Sequence, residues 1–190
     1  MSKFLIFTLS FLVISNIHAQ KIISIEAEGN LESSNPCGCV DLSEVTSEHN
    51  PADILNGMRK CIELKQFKKA ARLFALAGVY GKYDAYRVKD RTAHQALLVL
   101  QQNILADTDE RDKKKLAKCI EKELEKGSEQ LSSVCQLIQQ IGMPTYHPKY
   151  MIQHGIQAFM KPEGDGLVEE FDSEASWNLA LENYLHCGEK

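Results

Sequence analysis

Residues 108–141 read TDERDKKKLAKCIEKELEKGSEQLSSVCQLIQQI, and this stretch sets the fold class. Thr108 can cap a helix whose first turn carries Asp109 and Glu110, acids that suit a helix N-terminus. Leu116, Cys119, Ile120 and Leu124 then recur at helical spacing. Gly127 ends the helix, and Ser128 caps a second one with Leu131, Val134, Cys135, Ile138 and Ile141 on one face. A tight turn makes two such helices antiparallel neighbours. Cys119 lies eight positions before Gly127 and Cys135 eight after it, each on an apolar face. The spacing therefore predicts a Cys119–Cys135 disulfide, contributing about 3 kcal/mol on the loop-entropy account.

Helical signals continue in both directions. Asn50-Pro51 is a cap followed by proline at the first helical position, and predicts a helix to about Lys65. A second helix is expected from Phe67 to about Val79, with Gly78 and Gly81 near its end. A third is expected from about Asp84 to Ala106. Its apolar stripe of Ala93, Leu97, Leu100 and Ile104 predicts the central helix. Downstream, His147-Pro148 starts a helix to Met160 with Ile152, Ile156 and Phe159 inward. Leu167–Phe171 is expected to be extended, and Ser173 to cap a last helix carrying Trp177, Leu181 and Tyr184. Seven helices in antiparallel hairpins make an all-α domain over residues 51–190.

The N-terminal fifty residues differ. Lys3 precedes an apolar run from Phe4 to Ser15, shorter than the roughly 20 residues of a bilayer span. Ile17-His18-Ala19 follows with a small residue before Gln20. Residues 1–19 therefore read as a bacterial secretory signal peptide cleaved after Ala19. The expected chain is periplasmic or secreted, without stable membrane insertion. Residues 20–50 are irregular, apart from an alternation of Ile23, Ile25 and Ala27 that fits one short strand.

The chain has 190 residues, 44% hydrophobic and 25% charged, the balance of an ordinary globular domain. Its formal charge of −4 argues against a nucleic-acid partner. All six cysteines follow residue 19, and an even count in an exported chain reads as disulfides. Cys37-Gly-Cys39 sits in a loop. It suits structural disulfides to Cys61 and Cys187, with a redox or copper role for a close thiol pair as the alternative.

One segment resembles a known repeat. Phe67, Ala70, Phe74 and Ala77 are spaced as the second helix of a tetratricopeptide repeat spaces aromatic, Ala, aromatic and Ala. Cys61 and Ile62 fall where that family prefers apolar residues on its first helix. Gly57, Met58 and Lys82 depart from the pattern, standing where Leu, a small residue and Pro are usual. Residues 52–82 thus resemble a single tetratricopeptide-like or Sel1-like hairpin. The resemblance implies a protein-binding scaffold.

No nucleophile elbow, phosphate loop or metalloprotease histidine pair is present in the sequence. Tyr80, Tyr83, Tyr86 and Arg87 cluster within eight residues beside Gly78 and Gly81. Glycines that loosen the backbone there would bring the rings to the surface, where tyrosine and arginine make interface hot spots. They are the expected partner-binding patch, with the Tyr150/His154 face as the second. Met143, His147, Met151 and His154 offer thioether and imidazole groups that suit Cu(I). The leading expectation is an exported, soluble, non-enzymatic protein that binds another envelope protein as scaffold, inhibitor or immunity-type partner, without a cofactor. The alternatives are a periplasmic copper-handling protein and a hydrolase whose site is assembled from distant residues.

Overall fold

A computed structural model describes residues 26–160 and 164–188. The signal-peptide segment, Ile23 and Ile25 lie outside the described residues. Among those described, seven α-helices and no strand are present: α1 Pro51–Glu63, α2 Phe67–Arg87, α3 Ala96–Ala106, α4 Glu110–Glu123, α5 Glu129–Ile141, α6 Lys149–Ile152 and α7 Ser173–Leu185. Short 3-10 turns occur at Leu42–Glu44, Arg91–Gln95 and Ile156–Phe159. No helix among the described residues is long and apolar enough to cross a membrane.

The capping logic holds at Asn50 and Ser128, but α4 is capped by Asp109, which accepts from the Arg111 N–H, and not by the expected Thr108, whose hydroxyl donates to Ile104 O. The Asn50 side chain accepts from the Asp53 N–H at 3.0 Å, and Asp53 accepts from the Asn50 N–H at 2.9 Å. This reciprocal box satisfies two amides at the start of α1. Asp53 also accepts from the Ser33 hydroxyl and the Asn35 N–H, which fastens the N-terminal segment to α1. Ser128 caps α5 through the Leu131 N–H, as its position predicts. On α7 the cap is Asp172, one residue before the expected Ser173.

The central helix is α2, not the third helix that the apolar stripe pointed to. α2 runs 21 residues without a break and has α1, α4 and α7 packed around it. Ala70, Ala71, Ala75 and Ala77 are fully buried, so the neighbours approach its backbone closely. Gly78 and Gly81 do not end it. A Cβ at Gly78 would lie 1.9 Å from the Tyr184 ring, and one at Gly81 would lie 2.8 Å from Leu97. Both glycines are mid-helix seats for side chains of α7 and α3. The missing Cβ serves close packing there rather than a turn.

The expected third helix is correspondingly cut. Its first residues belong to α2, Arg91–Gln95 is a 3-10 turn, and α3 starts only at Ala96. Ala96, Leu100 and Ile104 are buried, while Leu98 is 55% exposed. Between the two helices, Val88 forms an isolated antiparallel bridge with Leu167. Two flanking bonds, Val168 N–H to Arg87 O at 2.8 Å and Lys89 N–H to Gly166 O at 2.9 Å, lengthen this contact. The expected extended stretch is realised at Leu167, and turns again by Glu169.

Residues 26–50 are irregular but integrated. Leu42 and Val45 are buried in the core cluster, Leu31 N–H bonds Tyr150 O, and Thr145 N–H bonds Ser47 O.

Candidate functional site

The residues singled out around the end of α2 come together, but inside the molecule. Tyr80, Tyr83, Asp84 and Arg87 share one helix face by their three- and four-residue spacing. Segment 142–152 and α7 cover that face. Tyr80 is fully buried, Tyr83 is 4% exposed and Arg87 is 9% exposed. The expectation of a surface patch is therefore corrected: an uninterrupted α2 holds these side chains under its neighbours. Tyr86 alone is partly outward. It lies under the Lys82 ammonium, 5.3 Å from the ring centroid, and accepts a hydrogen bond from Asn183 at 3.1 Å.

Asp84 is the centre of this cluster. Its buried carboxylate accepts from the Tyr146 and Tyr150 hydroxyls and from Arg87 Nε, each at 2.8 Å, and Arg87 Nη2 is ion-paired with it at 2.7 Å. Arg87 also donates to Tyr146 O at 3.0 Å, and its guanidinium lies 5.1 Å from the centroids of both Tyr83 and Tyr146. Tyr80 donates to Gly142 O at 2.9 Å, and its ring packs on Tyr146 and Trp177. Burial pushes the Asp84 carboxyl up, with Arg87 and the two phenols pulling it back. Burial, followed by the charge of Asp84, pushes the Tyr146 and Tyr150 phenols well above their ordinary range. The phenols therefore stay protonated and donate. Opposite charges, aromatic lids and three hydrogen-bond donors on one carboxylate make a tie between α2 and segment 142–152.

The second expected face is corrected in the same way. Tyr150 is 1% exposed and belongs to that tie. His154 Nδ1 is hydrogen-bonded to Asn30 Oδ1 at 2.9 Å, which joins the N-terminal segment to the turn after α6. The side chains of the Met/His segment have separate surroundings. Met151 is fully buried, and His147 Nε2 pairs with Asp165 O at 3.0 Å. Among the described residues, no three His, Cys, Asp or Glu side chains are grouped as metal ligands.

The disulfides are Cys39–Cys61 and Cys135–Cys187. Cys61 is thus a partner of the Cys37/Cys39 pair, as its loop placement suggested, but Cys187 is not. The expected Cys119–Cys135 bridge is corrected: Cys119 is free. Equidistance from a turn brings residues together only where the helices lie alongside each other. α4 lies along α2 instead, while α5 turns Cys135 toward Cys187, two residues after the end of α7. Cys37 is also free, lies against Gly57, and is partly buried. Burial pushes its thiol up to about 11.

A surface that the periodicity missed lies at residues 155–160. The expected helix 148–160 exists only as the single turn α6. At Gly155 the backbone is extended, and its N–H neighbours find partners outside any helix. Thr92 Oγ1 accepts from the Ile156 N–H and Asp90 from the Gln157 N–H, each at 2.9 Å. Asp90 also accepts from the Thr92 N–H at 2.9 Å and hydroxyl at 2.7 Å. A Cβ at Gly155 would lie 2.2 Å from Asp90 Oδ2. The turn is clamped from behind, and Ile156, Phe159 and Met160 point out, 61%, 53% and 71% exposed. Of the expected inward stripe, only Ile152 is buried. Gly155 was the available signal, a helix breaker inside an otherwise helical pattern.

No protein-family model matches the chain, and neither a curated protein nor a solved structure matches it.

Proposed function

We propose that this chain is an exported, non-enzymatic protein-binding protein of the bacterial envelope, acting as a scaffold, inhibitor or immunity-type partner. The observation that carries the proposal is the clamped apolar turn of Ile156, Phe159 and Met160. Apolar side chains held out on a pre-ordered backbone are the anchors of protein interfaces, because little ordering entropy is lost on binding. The partner is another envelope protein that presents an apolar groove to this turn. The likeness of residues 52–82 to a tetratricopeptide or Sel1 hairpin belongs to the same proposal. Two disulfides suit an oxidising compartment, which supports export together with the leader-like residues 1–19.

The test is site-specific photo-crosslinking in intact cells. A photoreactive residue replacing Phe159 should form one defined adduct, and the same residue at Leu64, also exposed, should not. Adduct formation at both sites or at neither removes the turn as the binding element. Recovery of the chain in the cytoplasm with residue 1 intact removes the export half.

A further inference from the structure

We infer that the outer face of α4 is a docking surface for an acid-rich protein segment, separate from the apolar turn. Two of the helix's acids are turned inward and three of its lysines outward. Asp112 and Glu123 point inward, with side chains 11% and 6% exposed. The bases of the neighbouring elements answer them: Lys65 pairs with Asp112, Arg72 bonds Glu123 at 2.8 Å, and Lys68 lies 3.6 Å from it. These two acids are thereby neutralised from within, while three lysines of the helix face out. Lys114, Lys118 and Lys122 are all exposed and have no ion pair among the described residues. They recur every four residues, which sets them on one line about 6 Å apart.

This line is a local feature of a chain whose formal charge is −4. It therefore steers acidic partners to one place instead of attracting anions generally. Carboxylates at alternate positions of an extended segment are about 6.7 Å apart, and those one helical turn apart are about 6 Å, so both match the lysine repeat. A membrane is the poorer occupant. The apolar side of α4 is turned to the core through Leu116, Ile120 and Leu124, so nothing remains to insert. Glu121 and Glu125 border the lysine line and are exposed. They repel a continuous anionic surface, yet leave room for discrete carboxylates in register.

The test uses the purified mature chain and a short fluorescent peptide with glutamate at every fourth position, followed by anisotropy. The wild type should bind the peptide with an affinity that falls as salt rises. Lys114→Gln/Lys118→Gln/Lys122→Gln should weaken binding about tenfold or more at physiological salt, three exposed charge pairs being lost. Helicity and melting temperature should not change, since the three side chains are exposed. Ile156→Ser/Phe159→Ser should bind the peptide as the wild type does, so failure here and failure of the apolar turn are distinguishable. No binding by the wild type, or equal binding by the triple variant, overturns the inference. Tighter binding to phosphatidylglycerol vesicles or to duplex DNA than to the peptide overturns it as well, and assigns the stripe to a different macromolecule.

Discussion

Arg87 closes on Asp84 one turn earlier on α2, Nη2 to Oδ1 at 2.7 Å, and neither charge reaches solvent appreciably. A buried pair of this kind gains less from its own attraction than it loses when one partner is removed. The tyrosines raise the stakes, because both phenols use the same carboxylate.

Asp84→Ala should therefore cost about 3–5 kcal/mol, leaving a buried guanidinium without a counter-charge and two phenols without an acceptor. Arg87→Met should also destabilise, by stranding the carboxylate. The double variant should cost clearly less than the two singles added, the signature of a coupled pair. Chemical denaturation of the four proteins measures this. Single-variant losses below about 1 kcal/mol, or simple additivity, would show that the pair does not tie α2 to segment 142–152.

Gly57 and Gly81 make a contrasting pair. Alanine normally stabilises a helix relative to glycine by up to about 1 kcal/mol. A Cβ at Gly57 would sit 2.2 Å from the Gly38 carbonyl oxygen and 2.5 Å from the Cys37 sulfur. The carbonyl is backbone, held beside the Cys39–Cys61 bridge, and cannot swing away. At Gly81 the neighbour is the tip of the Leu97 side chain, which can change rotamer. Gly57→Ala should then destabilise by about 1–3 kcal/mol, and Gly81→Ala by much less. Thermal unfolding of the two variants decides it, and a stabilising Gly57→Ala would contradict the close approach.

The two glycines inside α2, Gly78 and Gly81, mark how far the sequence was legible. Caps, turn residues and apolar periods located α1, α4, α5 and α7 to within a few residues, because those signals are local. What periodicity could not convey is that Gly78 and Gly81 are contact sites, since that depends on Tyr184 and Leu97, which arrive from elsewhere in the chain. Once α2 runs through to Arg87, the tyrosines beside it become core rather than surface. The cysteine pairing failed for a related reason. Symmetry about Gly127 describes an isolated hairpin, whereas α4 packs along α2, with Glu123 paired to Arg72 of α2 and Asp112 to Lys65 in the turn before it. The clamped turn at Gly155 depends on Asp90 and Thr92, more than sixty residues away.

Peptide mapping without reduction should recover Cys39 joined to Cys61 and Cys135 joined to Cys187. The loop-entropy account gives about 3 kcal/mol for the shorter closure and about 4 kcal/mol for the longer one. Cys135→Ala/Cys187→Ala should accordingly be the costlier double variant. Cys37 should alkylate slowly at mildly alkaline pH, because a thiol pushed up to about 11 is almost wholly protonated there. A recovered Cys119–Cys135 peptide would contradict this pairing, and rapid labelling of Cys37 would contradict the burial of its thiol.

The last prediction concerns acid. Burial pushes the Asp90 carboxyl up, but the hydrogen bonds from Thr92 and from the Gln157 N–H outweigh it and hold it below its ordinary 3.8. The folded pKa is depressed, so the clamp contributes stability above the ordinary carboxylate pKa. That contribution is lost as pH falls through the still lower folded value. At neutral pH the clamp is fully made, and the apolar turn is presented in one conformation. In an NMR titration the Thr92 and Gln157 amide signals should move together, with a midpoint below 3.8. Asp90→Ala should abolish that titration and free the Gln157 amide for fast exchange at neutral pH, while the amides of α2 stay protected. Ile156, Phe159 and Met160 would then be presented by a floppy segment, and binding through the turn should weaken by the cost of ordering it. A midpoint at or above 3.8, or unchanged Gln157 exchange in the variant, would mean that Asp90 does not hold the turn.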